Sequence, residues 1–146
     1  MITIGKLLES KGSNVWVITP DDTVYDAVEL MDSKKAGALA VVHDENLVGI
    51  ISERDYARKV ILKNRTSKDT KVKDIMTTNV YCISPEQTVD ECLMIMNERR
   101  IRHLPVMQEI RLVGMISVSD VVKEIIKDQK YTIQHLENNI GWEEVY

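Results

Sequence analysis

The sequence has only two cysteines, Cys82 and Cys92, at a spacing that matches neither a metal-ligand nor a redox pair. Two buried thiols are therefore expected, with no disulfide framework. No uninterrupted apolar run approaches the length of a bilayer span. The start, Met1-Ile-Thr-Ile-Gly-Lys6, lacks a basic segment followed by an apolar stretch and a small-residue cleavage site, so a cytoplasmic location is expected. Walker and Gly-x-Gly-x-x-Gly loops and a nucleophile elbow are missing too. His43, His103 and His135 are too scattered to suggest zinc ligation. An excess of positive charge is also lacking: 19 basic against 23 acidic residues leave a net charge of -4, which disfavours nucleic acid as a partner. With no base, nucleophile or metal set apparent, an enzyme is not expected.

What is present is an ordinary globular balance, 44% hydrophobic and 29% charged over 146 residues, enough for a core that needs no staple. Its main feature is a duplication. Val15 to Ile61 aligns without a gap onto Val80 to Ile126, at a constant offset (80 minus 15) of 65 residues. Ile18, Pro20, Thr23, Val24, Met31, Leu39 and Val41 match Ile83, Pro85, Thr88, Val89, Met96, Leu104 and Val106. From Leu47 to Asp55 and from Leu112 to Asp120, six of nine positions are identical.

Each copy reads as β-α-β-β-α. Val15 to Ile18 and Val80 to Ile83 are short β-branched runs stopped by Thr19-Pro20 and Ser84-Pro85. Val24, Ala27, Val28 and Met31, and likewise Val89, Cys92, Leu93 and Met96, recur at helical spacing behind capping Thr23 and Thr88. Leu39 to Val42 and Leu47 to Ile51 form a hairpin around the polar turn His43 to Asn46, repeated at Leu104 to Val106 and Leu112 to Ile116. Closing helices are expected at Tyr56 to Leu62 and Val121 to Ile126, and lead-in helices at Ile4 to Leu8 for the first copy and Val72 to Met76 for the second. The expected fold class is thus α/β (α+β), with two tandem units packed sheet to sheet about a pseudo-two-fold axis. The expected division is 1–66, 67–130 and a C-terminal helical extension at 131–146. That extension carries Ile133, Leu136 and Ile140 at helical spacing and reads as a packed or partner-seeking helix.

The strongest candidate for chemistry is Gly-x-Ile-Ser-x-x-Asp, present as Gly49 to Asp55 and Gly114 to Asp120. A glycine at a strand end lets a ligand approach the backbone, a helix starting at Ser52 or Ser117 favours phosphate, and Asp55 or Asp120 one turn on suits ribose hydroxyls. The plainer account is that the serines cap helices and the aspartates complement the dipole. Recurrence in a duplicated chain argues for the ligand. Arg54, Arg102 and His103 are candidate phosphate partners, because arginine holds phosphate bidentately. Arg99 and Arg100 read as a solvated helix end, as do their counterparts Lys34 and Lys35.

Taken together, the strand-Thr/Ser-Pro-x-x-Thr starts, the Arg102-His-Leu-Pro-Val106 stretch and the twin Gly-x-Ile-Ser-x-x-Asp endings resemble the cystathionine β-synthase (CBS) domain pair, or Bateman module, over nearly the whole chain. The run Glu53 to Lys59 is similar to small stand-alone members. The resemblance implies a regulatory protein with two clefts for adenosine-containing ligands such as AMP, ATP, NAD or S-adenosylmethionine, and no required cofactor. It implies that Asp55 and Asp120 hold ribose, that Ser52 and Ser117 hold ribose or phosphate, and that Arg54, Arg102, His103 and Ser119 hold phosphates. It also implies that Ile18, Thr19, Ile83 and Ser84 line adenine pockets, and that the pair forms a homodimer and acts on another protein. Gly37 and Ala38 stand where the second copy has Arg102 and His103, so the two clefts should differ in phosphate affinity. The competing expectation is a ligand-independent scaffold with vestigial clefts.

Overall fold

A computed structural model describes residues 1–140. In chain order the elements are α1 (Ile4–Lys11), β1 (Val17–Ile18), α2 (Val24–Lys34), β2 (Ala38–His43), β3 (Asn46–Ser52), α3 (Glu53–Lys59), a 3-10 turn (Ile61–Lys63), α4 (Val72–Ile75), α5 (Val89–Arg99), β4 (His103–Gln108), β5 (Arg111–Ser117) and α6 (Val118–Ile140). The mixed α/β architecture with two small sheets agrees with the sequence pattern.

The two copies superimpose register for register. β2 pairs antiparallel with β3 from Ala38↔Ser52 to His43↔Asn46, and β4 with β5 from His103↔Ser117 to Gln108↔Arg111, each with an irregularity after the fourth pair. Thr23 and Thr88 cap α2 and α5 through their hydroxyls, which accept from Asp26 N–H and Glu91 N–H. Both helices end on a left-handed residue, Lys35 (φ 53) and Arg100 (φ 53). The first hairpin turn is shorter than expected: Asp44 and Glu45 alone bridge the strands, both at positive φ, as a two-residue turn matched to strand twist requires.

The copies differ at their first strand. β1 runs parallel to β2, with Ala40 N–H donating to Trp16 O. In the second copy this strand shrinks to the single bridge Ile83↔Val106. The residue equivalent to Ala40 is Pro105, which has no N–H to donate, so the ladder loses that rung.

The lead-in helices serve the opposite copy from the one expected. Ile4, Leu7 and Leu8 of α1 are buried with Ile83, Val89, Cys92, Met96, Leu104, Ile116 and Val121 of the second copy. Val72 and Ile75 of α4 complete the first-copy core around Ile18, Val24, Ala27, Met31, Leu39, Val41 and Ile51. Backbone bonds secure both crossings: Ile4 N–H donates to Gln87 O (2.8 Å), and Val72 N–H to Asp22 O (2.9 Å). Each fully buried Leu or Ile contributes roughly 1.5–3 kcal/mol, so each copy is completed by the other's lead-in. Neither core respects a cut at residue 66. The crossings also explain the two glycines of the repeated motif: a Cβ on Gly49 would lie 2.7 Å from Met76 Sδ, and one on Gly114 2.7 Å from a Leu8 methyl. Those glycines make room for the crossing chain, not for a ligand as expected.

The closing helices are unequal as well. α3 starts at Glu53 directly behind its expected cap Ser52, and gives way to the 3-10 turn, capped by Asn64 in the left-handed region (φ 55), a conformation asparagine tolerates. At the equivalent place the second copy has Gln129, and α6 continues through it. The closing helix and the extension expected at 131–146 are therefore one element as far as Ile140; residues 141–146, including Trp142 and Tyr146, lie outside the described residues. Of the two thiols, Cys92 is fully buried, which pushes it up to about 11, whereas Cys82 is only half-buried, contrary to expectation.

Candidate functional site

Two clefts lie where the copies meet. The first, about 470 Å³, is built on the end of β3 and the start of α3. Ser52 Oγ accepts from Asp55 N–H (3.2 Å), and Asp55 Oδ2 accepts from Ser52 N–H (3.0 Å), a reciprocal cap that fixes both side chains. Asp55 is buried; its Oδ1 accepts from the Thr77 hydroxyl (3.3 Å) and pairs with Lys59 Nζ (3.0 Å). Lys59 also donates to Ile75 O (2.9 Å) and does not line the cleft. Opposite the carboxylate, the second copy supplies Arg100, Ile101, Arg102 and His103, while Arg54 reaches across to donate to Arg100 O (3.5 Å). Three guanidinium groups thus share this cleft with the carboxylates of Glu53 and Asp55.

The second cleft, about 310 Å³, is its repeat. Ser117, Asp120, Met115, Gly12, Lys35 and Gly37 occupy the places of Ser52, Asp55, Ile50, Thr77, Arg100 and Arg102. The cap recurs, with Ser117 N–H donating to Asp120 Oδ2 (2.9 Å) and Asp120 N–H to Ser117 Oγ (3.1 Å). The partner of the carboxylate does not recur. Lys11, the last residue of α1, places its Nζ 2.6 Å from Asp120 Oδ2 and 2.5 Å from Met115 O, inside the cleft. Lys11 has no repeat counterpart: Leu8 takes the place of Met76 beside the motif glycine, and the residues between Leu8 and Gly12 are additional, while the counterpart of Lys59 is Glu124, so the cation comes from a different helix in each copy. Burial alone would raise the Asp120 carboxyl, but the Lys11 ammonium and the Ser117 N–H outweigh it and hold it below the usual value.

At the far end each copy presents an aromatic ring under a cation: Lys34 Nζ lies 4.5 Å from the Trp16 ring centroid, and Arg99 Cζ 4.1 Å from that of Tyr81. Trp16, Asn14 and Lys34 line the second cleft itself. Tyr81, Asn79 and Arg99 line a separate cavity of about 210 Å³ that shares Ile50, Thr77, Ile101 and His103 with the first. His103 lines all three spaces, and a Cβ on Gly37 would lie 3.1 Å from its ring. Burial holds the His103 imidazole below its ordinary value, opposed by Asp120 and reinforced by Lys11 and Arg102.

Of the residues singled out in the sequence, Ser52, Arg54, Asp55, Arg102 and His103 come together around the first cleft, and Ser117, Asp120 and His103 around the second. Ser119 is exposed and lines neither. Ile18 and Ile83 belong to the two cores. Thr19 directs its N–H and hydroxyl to Asp22 (3.0 and 2.8 Å), and Ser84 N–H donates to Gln87 (3.0 Å). These four do not line the clefts because their turns hold the crossing chains, Pro20 O accepting from Lys73 N–H and Pro85 O from Gly5 N–H. The chain before the first strand borders the second cleft at Trp16, and its repeat at Tyr81 borders the separate cavity beside the first. Arg100, Lys34 and Lys35 are exposed helix-end residues, as expected, and also border the clefts, which sequence reasoning passed over, as it did Lys11 and Thr77, which lie outside the gap-free alignment. Both clefts are therefore basic, the first through arginines and the second through lysines, so the expected contrast in charge is one of kind rather than amount.

Comparison with known proteins bears on the fold and on the family. The CBS domain model matches residues 11–62 and 72–127. The mitochondrial CBS domain-containing protein CBSX3 of Arabidopsis thaliana is 42% identical over 143 residues, covering 92% of this chain and 69% of its own. A solved protein with CBS domains from Burkholderia ambifaria MC40-6 is 46% identical with a TM-score of 0.84, covering 87% of this chain and 96% of that one. At 22% identity the fold is also that of the CBS domain pair of protein MJ0100, solved in complex with 5′-methylthioadenosine and S-adenosyl-L-methionine (TM-score 0.79, covering 88% and 98%). A duplicated β-α-β-β-α unit with exchanged lead-in helices, matched twice by one family model, makes this chain a member of the CBS domain family, a tandem pair of the regulatory type.

Proposed function

We propose that this chain is a sensor that binds an adenosine-containing ligand in the cleft at Asp55 and, through the resulting change in packing between its two copies, modulates a partner protein. The observation that carries the reading is the convergence of Arg54, Arg100 and Arg102 on the capped Ser52–Asp55 pair, with residues from both copies in one space. A ligand bridging the copies has different contacts in their different packings, which is the requirement for shifting an equilibrium. Arginines suit its phosphates, Asp55 its ribose, and Ile50 and Ile101 an apolar edge. The complex described for MJ0100 supports an adenosyl ligand; AMP, ATP, NAD and S-adenosylmethionine are the candidates to compare. The chain acts without catalysis and without a required cofactor, as a homodimer. We place it in the cytoplasm, an assignment that fractionation against the mitochondrial alternative suggested by its plant relative decides. No helix among the described residues is long and apolar enough to cross a membrane.

The scaffold reading applies to the second cleft, where Lys11 satisfies Asp120 without any ligand. Thermal unfolding with each candidate ligand tests the proposal. At about 100 times its dissociation constant the true ligand adds roughly 2.7 kcal/mol. No shift with any of them returns the whole chain to the scaffold reading, and turnover of the bound nucleotide contradicts a purely sensory role.

A further inference from the structure

The second half of α6 runs beyond the second core. Val121 is fully buried and Val118 and Ile125 pack on the second core, but from Ile126 to Leu136 every residue of the helix is exposed. Helical segments of this length are marginal in water when nothing packs against them. The exposed apolar residues are not scattered. Val122, Ile126, Ile133 and Leu136, exposed by 39, 47, 56 and 53%, follow one another with Gln129 at alternating steps of four and three. That alternation is the seam of a two-stranded coiled coil, and Gln129 is its polar member, of the kind that sets register at some expense of stability.

Charge decides the partner and its direction. Flanking the seam on one side stand Lys130 and Glu137, seven residues apart; the other side offers Ile125 and Thr132, uncharged. In an antiparallel pair, Ile133 faces the partner's Leu136, and each Lys130 meets the partner's Glu137, twice by symmetry. In a parallel pair, Lys130 and Glu137 would face Ile125 and Thr132, and no ion pair forms. We propose that α6 beyond Ile126 pairs with the same segment of a second copy, antiparallel, through Ile126, Ile133 and Leu136. This deepens the homodimer of the proposed function and rests on it.

The test is light scattering coupled to gel filtration, with sedimentation at several concentrations, on the full chain. The wild type runs as a dimer and Ile133→Lys/Leu136→Lys as a monomer with unchanged thermal unfolding of the body, since both positions are exposed. Lys130→Glu raises the dimer dissociation constant about tenfold, and Lys130→Glu/Glu137→Lys restores it. A dimer that survives the seam substitutions overturns the seam and leaves the homodimer standing. Failure of the double charge reversal to restore affinity overturns the antiparallel arrangement. A wild type that is monomeric at every concentration overturns seam and homodimer together and hands α6 to a different protein.

Discussion

The clefts at Asp55 and at Asp120 share backbone, register and cap, and differ in where the carboxylate finds its cation. In the first, Lys59 comes from the same helix, one turn on, and leaves the cleft to the arginines. In the second, Lys11 comes from the crossing helix α1 and stands in the cleft. A duplicated scaffold has thus kept its geometry while moving one charge: both carboxylates are paired within the chain, but only in the second cleft does the pairing cation occupy the cleft itself. The arginines of the first cleft can each hold phosphate bidentately, whereas the lysines of the second act as point charges, one already engaged.

The largest effect expected from perturbing this contrast is on stability. Leu7→Ala removes a fully buried side chain that anchors α1 and should cost about 2–5 kcal/mol in urea unfolding, and it should also loosen Lys11 from Asp120. Ile75→Ala on the other crossing helix should cost a similar amount while leaving Lys11 in place. Next comes Lys11→Met, which removes the ammonium that pairs with Asp120 and keeps an unbranched side chain of similar length. Calorimetric titration with the ligand of the first cleft should change from one site per chain to two, the affinity of the second cleft rising at least about tenfold, or 1.4 kcal/mol. Unchanged stoichiometry would mean that Lys11 is not what separates the clefts.

Gly37→Ala acts on both clefts at once. Its Cβ would press on His103, so a loss of about 1 kcal/mol of stability and weaker binding at both are expected, read by thermal unfolding and titration. The smallest effect concerns pH. Because the folded protein holds the His103 proton less readily than the ordinary value of 6.5 implies, its stabilising contribution is present above that value and lost as pH falls. A phosphate beside the ring favours the imidazolium, so binding takes up a proton and tightens about threefold from roughly pH 8 to pH 6. Comparison with His103→Gln removes the ligand's own titration, and an identical pH profile in the two proteins would rule His103 out.

Much of this was legible in the sequence. The offset between the copies located the hairpins, Thr23 and Thr88, and the Ser52–Asp55 and Ser117–Asp120 caps, because local periodicity and capping chemistry determine them. The exchange of α1 and α4 was not legible: amphipathic spacing says that Ile4, Leu7 and Leu8 are buried, but not against which copy. Lys11 was missed for the same reason, since its role depends on that exchange. Ile18 and Ile83 were expected at the ligand from the family resemblance alone; in the structure their side chains belong to the two cores. Arg100 and Lys35 look like helix-end solvent charges in one dimension; their left-handed conformation and the neighbouring copy turn them into cleft walls.

The central claim, that one cleft is a ligand site and the carboxylate of its repeat is engaged inside the cleft by the protein's own lysine, is tested most directly by calorimetric titration of AMP, ATP, NAD and S-adenosylmethionine into the wild type, Asp55→Ala and Asp120→Ala. The account predicts one site per chain for one of these ligands, abolished by Asp55→Ala and retained in Asp120→Ala. Binding lost with Asp120→Ala and kept with Asp55→Ala, or no heat with any of the four, would contradict it.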